Sequence, residues 1–309
     1  MPSRERPSTQ AKRAGLDELI TEGRPGQPHP YEELSTTELV ELMNRQDSAV
    51  PGAVGAARDE LAAAIDAIVA KLATGGRLVY VGAGTSGRLA ELDAAECEST
   101  FSTEPGQVLA LVAGADAGSS AERDAAEDDA RAGAEALAKI GVSRHDAVVG
   151  VSASGRTPFV VGALEAAAAA GALTVCVVSV VDSELAGHAE HEIAVVVGPE
   201  FVAGSTRLKA GTAQKLVLNS ISTLAMVRLG KTYGDLMVGV ATTNEKLRAR
   251  ARRAVRLATG ASDAEVEHAL AAAGGNAKIA IVSLRANVDA EAARARLLAA
   301  SGHVREALR

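Results

Sequence analysis

Leu78-Val79-Tyr80-Val81-Gly82-Ala83-Gly84-Thr85-Ser86-Gly87-Arg88-Leu89 decides the fold of this chain. A short apolar run meets a turn of glycines and hydroxyls, and a helical pattern follows. A strand that enters a helix through such a turn makes an anion site, because the free N–H groups at a helix start point at the ligand. Gly82, Gly84 and Gly87 formally match a dinucleotide fingerprint. That fingerprint needs an acidic residue at the end of the next strand, about 20 residues on. Here the next strand ends near Asp116, well past that distance. Thr85 and Ser86 add two hydroxyls inside the turn, which suits a compact terminal phosphate. No Gly-Lys-Ser or Gly-Lys-Thr follows, which argues against a nucleoside triphosphate.

Outward from this turn, apolar runs alternate with helical patterns. Strands are expected at Arg77 to Val81, Gln107 to Ala113, Ala147 to Val151, Leu173 to Ser179 and Glu192 to Val197. Helices are expected near Ser86 to Cys97, over Ala121 to Ile140, through Ala170 and over Thr212 to Leu229. Such short apolar runs joined by helices are what a parallel sheet covered on both faces requires. The fold class is therefore α/β, a doubly wound five-stranded sheet. Val50 to Leu72 reads as one amphipathic helix stopped by Gly75-Gly76. Ser35 with Glu38, and Ser262 with Glu265, are capping boxes. Residues 1–15 lack periodicity and read as a disordered tail. The expected organisation is a helical segment at 16–59, the sheet domain at 60–235 and a helical unit at 236–309, in which Ile279 to Leu284 alone has strand character. No internal repeat is visible.

Composition narrows the function. The chain has 309 residues, a formal charge of -7 and 2% aromatic residues, with no Trp. An acidic chain poor in stacking side chains argues against nucleic-acid binding. Two cysteines, Cys97 and Cys176, form neither a disulfide framework nor a zinc set, and imply a reducing cytoplasm. Met1 to Gly15 has no apolar core, so it is not read as a secretory signal. No apolar run is long enough to span a membrane.

A second turn, Ser152-Ala153-Ser154-Gly155-Arg156-Thr157-Pro158, follows the third strand and repeats the chemistry of the first. Turns at the C-terminal ends of parallel strands meet at one crevice. Each turn alone is explained by ordinary helix capping. Two of them, each with several hydroxyls around glycine, favour a shared phosphate.

These two turns resemble the sugar-phosphate turns of the sugar isomerase (SIS) fold. Leu89-Ala90-Glu91-Leu92-Asp93-Ala94-Ala95-Glu96-Cys97 and the stretch from Gly204 to Asn219 resemble the N-acetylmuramic acid 6-phosphate etherase family. Leu19 to Arg24 and Ala241 to Leu247 fit the same family. The resemblance runs from about Leu16 to the C-terminus. It implies cleavage of the lactyl ether of N-acetylmuramate 6-phosphate, with no metal or organic cofactor, in a homodimer. It places the catalytic glutamate at Glu96 and a second acid at Glu127. Glu96 is expected to protonate the departing lactate and activate water, and Glu127 to take the proton at C2. The phosphate site is expected to comprise Gly84, Thr85, Ser86, Gly87, Ser152, Ser154, Gly155, Arg156 and Thr157. Of Arg88, Arg156, Arg207 and Lys209, Lys209 is the favoured partner for phosphate or the lactyl carboxylate. Arg88 and Arg156 could equally be structural ion-pair partners.

Ten residues of straight helix span about 15 Å. Glu96 therefore reaches the Thr85-Ser86 turn only if its helix ends early and folds back; otherwise it serves a partner's site. His188 and His191 lie one helical turn apart without a third ligand, so no metal is expected. Cys97 is expected to be a small buried thiol. Glu98-Ser99 and Val180-Val181-Asp182 depart from the family pattern, in which prolines and Asn-Pro are common. A sugar-phosphate-sensing regulator of the same fold and an aldose-ketose isomerase are competing readings. Neither accounts for both the Glu96 motif and the stretch from Gly204 to Asn219. No basic recognition helix precedes the sheet, as a DNA-binding regulator would need.

Overall fold

The computed structural model describes residues 20–26, 30–239 and 245–309. The 1–15 tail, the start of the Leu16 to Ile20 helix and parts of the Leu19 to Arg24 and Ala241 to Leu247 motifs lie outside them. Three helices precede the sheet: α1 (Thr36–Asp47), α2 (Val50–Ala56) and α3 (Arg58–Leu72). The expected single helix over 50–72 is two. Gly52 and Gly55 weaken its first part, and Ala57 breaks it with φ −90° and ψ 19°.

The sheet contains β1 (Leu78–Gly82), β2 (Val108–Val112), β3 (Ala147–Val151), β4 (Leu173–Val178) and β5 (His191–Ala194). The order is β2-β1-β3-β4-β5 and every pairing is parallel. Alternate strand residues feed two cores. Leu78, Tyr80, Val149, Val151, Val175 and Val177 pack with α3, with α4 (Gly84–Phe101) and with α8 (Lys209–Arg228). Val79, Val81, Val148, Cys176 and Val178 pack under α6 (Ala130–Lys139) and α7 (Pro158–Ala169). Burial on both faces explains why the strands read as continuous apolar runs.

The helix expected over 121–140 is interrupted. α5 (Ser120–Glu127) ends at Asp128, and Asp129 starts α6 by accepting from Ala132 N at 2.9 Å. A carboxylate that captures a backbone N–H in this way begins a helix rather than continuing one. The break leaves Glu127 at the C-terminal end of α5.

The remaining elements are a short hairpin, β6 (Thr232–Tyr233) with β7 (Leu236–Met237), and five helices: α9 (Glu245–Thr259), α10 (Asp263–Ala272), α11 (Ala277–Ala286), α12 (Ala290–Ala299) and α13 (Val304–Ala307). These helices share a separate apolar core with Val238. The strand character of residues 279–284 is overturned. They lie in α11, which Asn276 caps through Ile279 N at 3.2 Å. Ile279, Ala280, Ile281 and Val282 are all buried, so the run is apolar without a helical period. Lys278 Nζ donates to Gly230 O and Gly302 O, fastening this unit to the end of α8.

Candidate active site

In this strand order the chain reverses direction of winding between β1 and β3. Ligands of open α/β sheets bind in that crevice, at the C-terminal strand ends. The two hydroxyl turns leave from these two strands. α4 begins at Gly84, so Gly84, Thr85, Ser86 and Gly87 form its first turn. The N-cap, Ala83, offers no side-chain acceptor to those N–H groups. Close packing holds the turn in place. A Cβ at Gly87 would stand 2.7 Å from Val112 Cγ1 and 2.8 Å from Gly82 O. Only glycine lets the helix start so close to β1 and β2.

The second turn is a polar chain. Gly155 N donates to Ser152 Oγ at 3.1 Å, and Ser152 Oγ lies 2.9 Å from Thr157 Oγ1. Thr157 Oγ1 donates to Glu127 Oε1 at 3.4 Å. Ser154 Oγ is 3.4 Å from Ser152 Oγ and accepts from Arg156 N at 3.4 Å. Gly155 has φ +65°, and a Cβ there would collide with Ser183 Cβ, so glycine is required twice over. Pro158 at the start of α7 fits its fixed φ.

Glu127 joins the two turns. Its Oε2 lies 3.8 Å from where a Cβ on Gly84 would stand, while Oε1 holds the Thr157 hydroxyl. Burial raises its carboxyl above the usual glutamate range. The Thr157 hydrogen bond opposes that shift, and Asp128 and Asp124 add to it. A carboxyl raised in this way, set in a crevice between two hydroxyl turns, suits general acid-base work.

The other expected residues are placed differently. Glu96 is exposed on the third turn beyond Ser86, and α4 continues unbroken to Phe101. The alternative of an early helix end is therefore excluded, and the chain does not bring Glu96 to its own Thr85-Ser86 turn. Lys209 is 6% exposed, and its Nζ donates to Val197 O at 2.9 Å. This position holds a loop carbonyl rather than the crevice. Arg88 is exposed and Arg156 is half-buried. His188 Nδ1 sits 3.5 Å from Glu165 Oε1. Among the described residues no group of three or more His, Cys, Asp or Glu side chains could hold a metal ion. Burial pushes the Cys97 thiol up to about 12, which leaves it protonated at neutral pH.

Three buried polar residues that hold α4 and α8 in place escaped the sequence reading. Glu200 is fully buried and caps α8, accepting from Lys209 N and Ala210 N, each at 2.9 Å. Asp93 is on the buried face of α4, accepting from Tyr80 Oη at 2.9 Å and Ser222 Oγ at 3.1 Å. Gln214 is buried on α8 and accepts from Ser86 Oγ at 2.9 Å. The available signal was a polar residue in an apolar helical row: Gln214 stands among Ala210, Val217, Leu218 and Ile221.

Comparison with known proteins bears on the fold and the family. The family described as "SIS domain" matches residues 133–224, and "Glucokinase regulatory protein N-terminal SIS domain" matches residues 60–168. A phosphoheptose isomerase from Francisella tularensis shares the fold, with TM-score 0.50 and 17% identity over 63% of this chain and 100% of that one. The N-acetylmuramic acid 6-phosphate etherase of Streptomyces avermitilis is 53% identical over 96% of this chain and 95% of its own. That of Rubrobacter xylanophilus is 54% identical over 95% and 97%. That of Mycolicibacterium smegmatis is 48% identical over 95% and 98%. With such identity along nearly its whole length, and with two hydroxyl turns facing one crevice, the chain belongs to the N-acetylmuramic acid 6-phosphate etherase family.

Proposed function

We propose that this protein cleaves the D-lactyl ether at C3 of N-acetylmuramate 6-phosphate, giving N-acetylglucosamine 6-phosphate and D-lactate in the recovery of cell-wall amino sugar. It is a carbon-oxygen lyase. The observation that carries the reading is Glu127, a raised carboxyl held between the β1 and β3 turns. The substrate's phosphate sits at the first turn of α4, against Gly84, Thr85, Ser86 and Gly87. Ser152, Ser154, Gly155, Arg156 and Thr157 close the other side.

In the open-chain sugar the C1 aldehyde acidifies the hydrogen at C2. Glu127 takes that proton. The electron pair forms the C2–C3 double bond as the C3–O bond breaks, and Glu96 gives its proton to the departing lactate oxygen. Glu96, now a carboxylate, takes a proton from water as the water oxygen adds at C3. Glu127 returns its proton to C2. Every step is a proton transfer or an elimination, which general acids and bases serve.

Glu96 acts in the partner's site of a homodimer. Three surfaces support this. Leu92, one turn before Glu96 on α4, is 44% exposed. Leu224 and Val227 on α8 are 46% and 40% exposed. α1 buries none of its residues and leaves Val40 63% exposed. Because α4 and α8 pack on each other, Leu92, Leu224 and Val227 expose apolar surface on adjoining helices, as a subunit contact requires. Residues 60–235 are the sugar-phosphate unit and 236–309 a helical unit, a division supported by their separate cores.

The test is release of D-lactate from N-acetylmuramate 6-phosphate by the purified protein. Turnover supports the etherase. Binding of the sugar phosphate without lactate release would sink it and favour a sugar-phosphate sensor.

A further inference from the structure

Gln214 is 2% exposed and stands in the apolar row of α8. A buried carboxamide is stable there only when its polar ends are met. One end is met: Ser86 Oγ donates to Gln214 Oε1 at 2.9 Å. The other is not, because Gln214 Nε2 has no hydrogen-bond partner. The pair ties α8 to the first turn of α4. Gly211, one turn before Gln214, keeps the two helices close: a Cβ there would stand 3.6 Å from Thr85 Cγ2.

A phosphoryl oxygen only accepts hydrogen bonds. While Ser86 gives its hydrogen to Gln214, it has none for a phosphate. A hydroxyl also accepts, and an amide nitrogen donates. A half-turn of the Gln214 carboxamide brings Nε2 onto Ser86 Oγ. Nε2 then donates to the hydroxyl oxygen, and the Ser86 hydrogen is released toward the crevice. This torsion is broad and two-fold, and both ends of the amide are similar in size, so no repacking is needed.

We propose that Gln214 is a positioning residue for the phosphate anchor, switching between accepting from Ser86 and donating to it and so directing the Ser86 hydrogen onto the substrate's phosphate. This rests on the reading of Ser86 as a phosphate ligand. Gln214 acts through Ser86 and does not touch the substrate.

The test uses full-length wild type, Gln214→Met, Gln214→Glu, Ser86→Ala and the double variant Ser86→Ala with Gln214→Met. Methionine keeps the volume and removes both hydrogen-bonding ends. A glutamate buried there is protonated and keeps one donor and one acceptor, so it preserves both hydrogen-bonding ends. The readouts are kcat and KM for N-acetylmuramate 6-phosphate, the inhibition constant of inorganic phosphate, and the thermal midpoint. Gln214→Met is expected to raise KM and the phosphate inhibition constant together by about tenfold, with kcat within about threefold. Gln214→Glu, the conservative variant, is expected to raise both less than Gln214→Met does. In the Ser86→Ala background, Gln214→Met is expected to add less than about twofold. Equal effects of Gln214→Met in both backgrounds would overturn the proposal, as would a lower thermal midpoint with an unchanged phosphate constant. If Gln214→Glu does not fold, the Ser86 and Gln214→Met cycle decides. If Ser86→Ala leaves KM and the phosphate constant unchanged, the anchor reading falls and this inference with it. If Ser86→Ala weakens both while Gln214→Met is silent, only this inference falls.

Discussion

Thr157 donates its hydroxyl to Glu127 Oε1 across 3.4 Å, linking the turn after β3 to the end of α5. The bond works against burial, which raises the Glu127 carboxyl. A base at C2 must be ionised. Since the folded pKa is raised, the ionised form is lost at a higher pH than for an ordinary glutamate. The acid limb of the kcat/KM profile is therefore expected above the usual glutamate range. Thr157→Val removes the opposing hydrogen bond, so it should move that limb further up. Glu127→Gln should lower kcat by about 10²–10⁴. A limb that moves down in Thr157→Val, or full turnover in Glu127→Gln, would remove Glu127 from the base role.

Lys209 gives a prediction of the opposite kind. Its ammonium is buried and bound to Val197 O at 2.9 Å. Lys209→Met leaves that carbonyl unmet and should cost about 1–3 kcal/mol of stability. The KM of the folded enzyme should stay within about twofold, because the position holds a loop and not the phosphate. Chemical denaturation and steady-state kinetics on the same preparation separate the two. A large rise in KM with unchanged stability would return Lys209 to the substrate.

Asp146 lies just before β3, at the end of the sheet away from the crevice. Its carboxylate accepts from Arg77 Nε at 3.0 Å, Arg77 Nη2 at 2.8 Å, Arg77 N at 3.1 Å and Ser143 N at 2.9 Å. Burial pushes the carboxyl up, but these bonds together outweigh it and bring the pKa down to about 2. The folded value is below the unfolded one. The stabilisation is thus present above about pH 4 and is lost as pH falls toward 2, and amounts to about 2 kcal/mol. Asp146→Asn should lower the denaturation midpoint at pH 7, with the gap to wild type narrowing toward pH 2. A gap constant over that range would refute the ionic contribution. Activity should be unaffected, since no crevice residue touches this pair.

What the sequence disclosed follows from where each residue's partner lies. The capping boxes of Ser35 with Glu38 and Ser262 with Glu265 were legible because both members are three residues apart. The strands were legible because burial on both faces makes the whole run apolar. The break at Asp128-Asp129 was not, since an aspartate in an Ala-rich run looks the same inside a helix as at its start. Residues 279–284 misled because four consecutive buried positions, 279–282, show no helical period. The polar Gln214 was visible, but its partner Ser86 is 128 residues away and came together with it only through folding. Lys209 was assigned by its charge, and the carbonyl that takes that charge is fixed by the loop before α8.

Glu96 and Ser86 stand on one unbroken helix, ten positions apart, which is about 15 Å of axial rise. Substrate cannot bind by its phosphate at Ser86 and meet Glu96 of the same chain without the helix bending. A subunit-mixing experiment tests the shared site. Glu96→Gln and Glu127→Gln are each expected to be nearly inactive alone. In a mixed dimer, the Glu96→Gln subunit keeps its own Glu127 and receives Glu96 from its partner, while the other site lacks both. Random mixing in equal amounts makes half the dimers mixed, so about a quarter of wild-type activity should return. If Glu96 served its own chain's site, every site would keep one defect and mixing would restore nothing. Leu92→Glu, which places a charge on the face one turn before Glu96, should split the dimer and abolish the recovery without altering the fold of the separate chains. Recovery that persists in monomers of that variant would defeat the shared-site assignment.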